Sequence, residues 1–325
     1  MFRASSGIRQ TIGSSVGINP NTWLLSQDFP SLATHSGWQT LHRTTKLDPM
    51  STVFSEALSL TKAPLFNRAG ANTWQGAIRG EGTLMGSVLI VQSLRAVMDA
   101  VPDKLVHAFH IQFVGRGSID KTVEYEVEIT TDAKSTTTTI VRAFQSGVPL
   151  SIMMTSSALP SKAEKPRWTD VSTHKGAERT QDGESLVGSF IEPAGFDTDR
   201  AENANRFFPF WFRYPSPLAD EHECVLVAAY VSDQGISNSG FPDHVPLEES
   251  INNLTLNHSA WFHHPVIVDE WVRVQSRCTA MANGRGTAQG YMVTEAGHRI
   301  ATFSQEVLLL TPQSSILVGR TLPSV

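Results

Sequence analysis

The sequence predicts an α+β chain of two similar domains, each an antiparallel sheet wrapped around a long central helix. Three observations lead there. A helix followed by a set of strands occurs twice along the 325 residues. The strand signals alternate apolar with polar residues, as antiparallel sheets with one buried face do. Residues also recur at a fixed offset. Leu105, Phe113 and Asp120 match Leu254, Phe262 and Asp269 at 149 positions, and Gly147 matches Gly297 at 150.

The first helix is read between Leu84 and Val101. Apolar residues fall at 84, 85, 88, 91, 94, 97, 98 and 101, which is helical spacing. Leu89 and Ile90 thicken that stripe until the helix is nearly apolar all round. Pro102 and Asp103 end it. Strands follow at 105–114 and at 122–131, where Val123, Tyr125, Val127 and Ile129 alternate with acids and Thr. The β-branched run 136–141 comes next, then a turn at Ser146-Gly147 and a strand over 148–154. One helix followed by an antiparallel meander is the outline of a hotdog fold. Residues 159–206 are rich in charge, Pro, Gly and Ser, and read as a linker and surface loop. An aromatic cluster at 207–215 precedes a second buried helix over 221–232. Strands resume within 254–268, 270–281, 287–294 and 300–310. The expected division is a tail over 1–50, an N-terminal hotdog over 51–158, the linker, a C-terminal hotdog over 207–312 and a tail over 313–325. Joining the two sheets edge to edge would cover edges that otherwise invite aggregation.

Composition narrows the function classes. A net charge of −5 gives no electrostatic footprint for nucleic acid or an anionic membrane. No run reaches the length a membrane helix needs, so membrane insertion is not expected. Cys224 and Cys278 are the two cysteines, too few for a disulfide framework, and are read as buried thiols in a reducing compartment. Arg3, Arg9 and several Ser precede the first acid, Asp28. This composition fits a mitochondrial transit peptide, a disordered tail or an upstream extension, with Met50 able to start the recognisable domain. There is no secretory apolar segment, and the ending Leu322-Pro323-Ser324-Val325 is not a peroxisomal signal. These signals leave the compartment open, favouring cytoplasmic or mitochondrial over peroxisomal and against secretion.

Several motifs fail on context. The G-x-S-x-G match at 13–17 lies in a polar tail rather than on a strand-to-helix elbow. Gly80, Gly82 and Gly86 have the wrong spacing for a dinucleotide fingerprint, although they can present amides at a helix N-terminus. His258, His263 and His264 have no Cys or carboxylate at ligand spacing, so no metal is expected. On a continuous strand, His258 and His264 would share a face.

Asp233, Thr255 and Gln305 carry the chemical signal. Asp233 ends the second helix, where an acid opposes the helix dipole. Gln305 interrupts an apolar strand, and a buried amide demands hydrogen-bond partners. Thr255 lies in the strand that runs back across the helix. Each residue also fits a bland role: a loop Asp, an ordinary strand Thr, a satisfied structural amide. Together they can hold a water, with the carboxylate accepting its proton and the amide and hydroxyl orienting it. Backbone amides at a helix N-terminus, expected near the second helix, would meet the oxyanion.

The residues resemble a known family. LVHAFHIQF and VRAFQSGVPLSIM in the first half, with FWFRYPSPL, AAYVSDQG, LNHSAWFHHP and TFSQE in the second, are similar to the acyl-CoA thioesterase II family. The resemblance spans about two-thirds of the chain. It implies a double-hotdog fold and hydrolysis of an acyl-CoA, with Asp233, Thr255 and Gln305 as the water-activating set. It also implies substrate contacts at Gly82, Thr83, His258 and Trp261. No cofactor is implied beyond the CoA of the substrate, and a homo-oligomer is expected. Two departures stand out. The family's Phe-Gly-Gly-Gln before the first helix is replaced by the stretch Arg79 to Thr83, and its Asp-His-Ser motif reads Asn257-His258-Ser259. Gln305 falls opposite Thr155 in the repeat, so the first half is expected to lack a matching site. The same fold and the same Asp233 would also serve a dehydration, an isomerisation or the release of a specialised thioester, and a non-catalytic scaffold is the third reading.

Overall fold

The computed structural model describes residues 61–62, 65–77, 84–160, 210–214, 218–233, 236–240 and 252–310, all within one compact unit, Leu47–Val325. The expected tails, nearly all of the expected linker and the G-x-S-x-G match lie outside these residues.

Helix α1 runs from Gly86 to Ala100 and stops just before Pro102, as the spacing predicts. Eleven of its fifteen residues are buried, which matches a stripe that is apolar on nearly all sides. The meander that follows is β3 (Leu105–Phe113), β4 (Val123–Asp132), β5 (Thr136–Gln145) and β6 (Val148–Ala158). β5 and β6 both run about four residues beyond the β-branched and apolar signals that announced them. Helix α2 covers Glu221–Asp233, with Val225 to Ser232 buried. After a short 3-10 helix, Ile236–Gly240, come β8 (Asn252–Phe262), β9 (Val272–Ala282), β10 (Arg285–Thr294) and β11 (Arg299–Leu310). The β5–β6 and β9–β10 turns place Ser146-Gly147 and Asn283-Gly284 at positive φ. That is the left-handed pair a two-residue hairpin needs to match strand twist.

Three short strands were not expected: β1 (Phe66–Arg68), β2 (Thr73–Gly76) and β7 (Phe210–Phe212). β2 contributes Trp74, which is fully buried and donates its indole N–H to Asp99 at the end of α1.

The strands form one antiparallel sheet in the order β1-β2-β4-β5-β6-β3-β8-β11-β10-β9-β7. Its middle seam is β3 against β8, with Ala108 opposite Trp261, His110 opposite Ser259 and Gln112 opposite Asn257. His110 and Ser259 are equivalent under the 149-residue offset and are also cross-strand partners, with Nδ1 and Oγ 3.0 Å apart. α1 packs on α2 and on β3, β4 and β5, while α2 packs on β3 and β8. Their apolar faces, with Phe109, Ile111, Ala260, Phe262 and Phe303 from the sheet, make one contiguous core.

Two expectations need correction. β8 ends at Phe262, so strand alternation never reaches His264. His264 instead bonds Glu221 Oε1 through Nδ1 at 2.6 Å and the Val106 carbonyl through Nε2 at 3.1 Å, tying the start of α2 to β3. Cys224 and Cys278 are both thiols and both only partly buried. Burial, with the nearby acids, pushes the Cys224 thiol up to about 11, so it is a poor nucleophile.

Candidate active site

Asp233 is the last residue of α2, where a carboxylate meets the negative end of its own helix dipole. The conflict is resolved across the helix pair. The Ser87 amide, in the first turn of α1, donates to the Asp233 carboxylate. α1 has no acid in its first turn, and Met85 makes no side-chain cap. Asp233 supplies the anion that this N-terminus lacks. The approach is close: a Cβ on Gly86 would sit 3.4 Å from Asp233 Oδ2 and 2.9 Å from the Phe113 ring. The residue as a whole is partly exposed, but its Oδ1 is buried and accepts no hydrogen bond from the described residues. Burial pushes the carboxyl up to about 7, outweighing the stabilising Ser87 amide. The amides beside the carboxylate therefore belong to the first helix, not the second. The N-terminus of α2 lies at the opposite end of that helix from Asp233; there the Glu223 amide donates to Asp220, and the Ala219 amide, just before the helix, donates to Glu223.

Gln305 and Thr255 meet directly. Gln305, 2% exposed, donates from Nε2 to Thr255 Oγ1 at 2.7 Å. The register of β8 and β11 explains how. Gln305 pairs with His258 and Val307 with Thr255, so Leu256 is bulged out. Without that bulge, Thr255, three residues from His258, would face the other side of the sheet.

His258 connects this pair to the helix. It is fully buried, with Nδ1 2.9 Å from Gln305 Oε1 and Nε2 2.8 Å from Ser232 Oγ. Ser232 is the residue before Asp233, so one chain of polar contacts runs from the end of α2 to Thr255. Phe109 and Phe303 flank the imidazole, with ring centroids at 5.7 and 6.2 Å. Burial lowers its pKa to about 4 despite the bond to Gln305, which acts the other way. A depressed pKa in the native state gives stability that is complete above the unfolded value of 6.5. It is lost as pH falls from there through about 4. His258 should cost the fold up to about 3 kcal/mol over that window. Urea midpoints measured between pH 7 and pH 4 for wild type and His258→Asn should converge as pH falls.

Of the other candidate residues, Gly82 and Thr83 lie outside the described residues. Trp261 is not brought to this cluster. It alternates with the inward-facing Ala260 and Phe262, is 39% exposed, and contacts His110 edge-on at 5.3 Å. Sequence reasoning did not single out Ser232 or Ser87. Ser232 left a faint signal, a hydroxyl beside an acid at the end of an otherwise apolar helix.

The description "Acyl-CoA thioesterase N-terminal domain" matches residues 76–159, and "Acyl-CoA thioesterase C-terminal domain" matches 157–309. Human acyl-coenzyme A thioesterase 8 is 25% identical over 278 residues, covering 76% of this chain and 85% of that protein. Acyl-CoA thioesterase 2 of Haemophilus influenzae is 24% identical, covering 70% and 87%. In fold, the chain is similar to the acyl-CoA thioesterase II TesB2 of Mycobacterium marinum, with a TM-score of 0.60, 22% identity and coverage of 80% and 98%. It is also similar to a hotdog-fold protein of Alicyclobacillus acidocaldarius, with a TM-score of 0.56, 17% identity and coverage of 79% and 98%. The two domain matches together run across most of the chain, which therefore belongs to the acyl-CoA thioesterase II family.

Proposed function

We propose that the chain hydrolyses an acyl-CoA to the free carboxylic acid and CoA, using a water activated by Asp233 and oriented by Gln305 and Thr255. The observation that carries this is the Asp233 carboxyl, held at the N-terminus of α1 with one oxygen buried and without a partner among the described residues, and its pKa raised to about 7. A base poised near neutrality both exists as carboxylate and takes a proton readily. Water loses its proton to Asp233 as its oxygen attacks the thioester carbonyl. The tetrahedral oxyanion that forms then collapses, the carbon–sulfur bond breaks, and CoA leaves as thiolate or takes the proton back. The first turn of α1 supplies a positive dipole end where that oxyanion develops. No cofactor is required.

The architecture that supports this reading is two hotdog halves joined along β3 and β8, each around its own helix. Under the repeat offsets, Phe109 stands where the second half has His258, and Thr155 where it has Gln305. The three water-activating side chains are thus assigned to the second half, and the first half contributes the first turn of α1.

The test is thiol release from short, medium and long acyl-CoAs between pH 5 and pH 9. Turnover is expected, with kcat/KM rising about tenfold per pH unit below about 7 and flat above it, because only the carboxylate form is active. No turnover at any chain length would sink the hydrolase reading. A rate independent of pH from 5.5 to 8.5 would remove Asp233 as the base.

A further inference from the structure

The geometry points to Ser232 and His258 as positioning residues. They fix the Gln305 side-chain amide with its NH2 toward Thr255, so that Gln305 and Thr255 both act as donors toward the reacting oxygen. This inference rests on the hydrolytic reading given above.

The contacts Ser232–His258–Gln305–Thr255 can be satisfied with either of two polarities. In one, Ser232 O–H donates to His258 Nε2, His258 Nδ1–H donates to Gln305 Oε1, and Gln305 Nε2–H donates to Thr255 Oγ1. In the other, every bond is reversed, the amide is turned over and His258 carries its proton on Nε2. The structure has the first: Oε1 faces His258 at 2.9 Å and Nε2 faces Thr255 at 2.7 Å. An amide oxygen accepts only, so Nδ1 must be the protonated nitrogen. Ser232 Oγ also lies 2.8 Å from the Ala229 carbonyl. A hydroxyl has one proton and the carbonyl can only accept, so the two sites compete for it; a neutral His258 whose Nδ1–H is bonded to Gln305 Oε1 takes it at Nε2, and the Ala229 contact then carries no proton.

The polarity has a chemical consequence. In the first arrangement Thr255 has already accepted a bond, so its own O–H is free to donate. The second Nε2–H of Gln305 is free as well. Both then hold the water through its oxygen and leave its protons to Asp233. In the reversed arrangement Thr255 and Gln305 present lone pairs and compete with Asp233 for those protons. The doubly protonated ring, which would donate at both nitrogens and leave the Ser232 proton to the Ala229 carbonyl, is disfavoured above about pH 5, because burial keeps His258 neutral. Asp233 is adjacent to Ser232 in sequence. Otherwise the ring faces Phe109, Phe303, Ser232 and Gln305.

The test uses the full chain labelled with 15N-histidine. Long-range proton–nitrogen spectra at pH 7 should show His258, assigned by its absence in His258→Phe, protonated on Nδ1. Kinetics give a second reading. His258→Phe keeps a ring of the kind found at the equivalent Phe109 but loses both nitrogens. Its kcat should fall about a hundredfold with KM changed by less than about threefold. His258→Asn places an amide N–H where Nδ1 was and should recover at least about tenfold of that loss. An Nε2-protonated ring in an active enzyme overturns the proposal, as does wild-type kcat in His258→Phe. So does an equal loss of kcat in the Phe and Asn variants, which would make the ring structural. A wild type without turnover on any acyl-CoA overturns the hydrolytic reading, and the positioning role with it.

Discussion

Replacing Asp233 with Asn should lower kcat/KM by about 10³-fold or more while making the protein more stable at high pH. The two effects share one cause. The carboxyl is raised from 3.8 to about 7 because burial penalises its charged form. A carboxyl whose folded pKa is raised favours the folded state fully below the unfolded value, and that benefit is lost as pH rises through about 7. At pH 9 the native protein bears the whole ionisation cost, on the order of 4 kcal/mol. Asn has no charge to desolvate, and its Oδ1 can still accept the Ser87 amide. Against this, its NH2 is a buried donor in place of Oδ1, a loss of about 1–3 kcal/mol that is present at every pH. The electrostatic term wins at pH 9 and is absent near pH 4. Urea unfolding of both proteins should therefore show a difference that grows by several kcal/mol from pH 4 to pH 9, with Asn the more stable at the top. A parallel pair of pH curves would mean an ordinary Asp and would count against its role as a tuned base.

The same residue shows where sequence reading succeeds and where it stops. An acid at the end of an apolar helix was legible as a misfit, because helix dipoles disfavour it. Its resolution was not legible. The relieving charge comes from the amides of α1, some 146 residues earlier in the chain. The helices and long strands were legible because each carries its own pattern, as α1 does from Val88 to Val97. β1, β2 and β7 have only three or four residues, too few for any period to appear, and hold their place by pairing with longer neighbours. Thr255 was singled out as a hydroxyl on the strand that crosses the helix and again by resemblance, but its facing Gln305 depends on the bulge at Leu256, which no composition signal marks. The histidine run misled in a similar way. Alternation assumed a strand to His264, while β8 ends two residues earlier and the ring turns to Glu221.

Replacing Gln305 with Met should cost about 10²-fold or more in kcat and about 1–3 kcal/mol in stability, whereas Thr155→Val should leave kcat unchanged. Met keeps the length and volume of Gln, so the core of β11 stays filled. What disappears is both ends of the amide. Thr255 loses the donor that holds its hydroxyl, and the water loses one of its two orienting groups. His258 is left with one ring nitrogen facing apolar surface whichever tautomer it adopts, and an orphaned buried polar group is the main stability cost. Thr155 is the matching position in the first half and is just as buried, but among the described residues its hydroxyl meets Thr139 alone, at 2.7 Å. Valine there leaves one Thr139 hydroxyl unpaired, for a similar cost in stability, with no connection to Asp233 or Thr255. The two variants thus lose comparable stability and differ in turnover. That difference separates a site that belongs to one half from chemistry shared between two. If both variants lost activity in proportion, β6 and β11 would contribute equally, and the assignment of the water to Asp233, Thr255 and Gln305 would have to be abandoned.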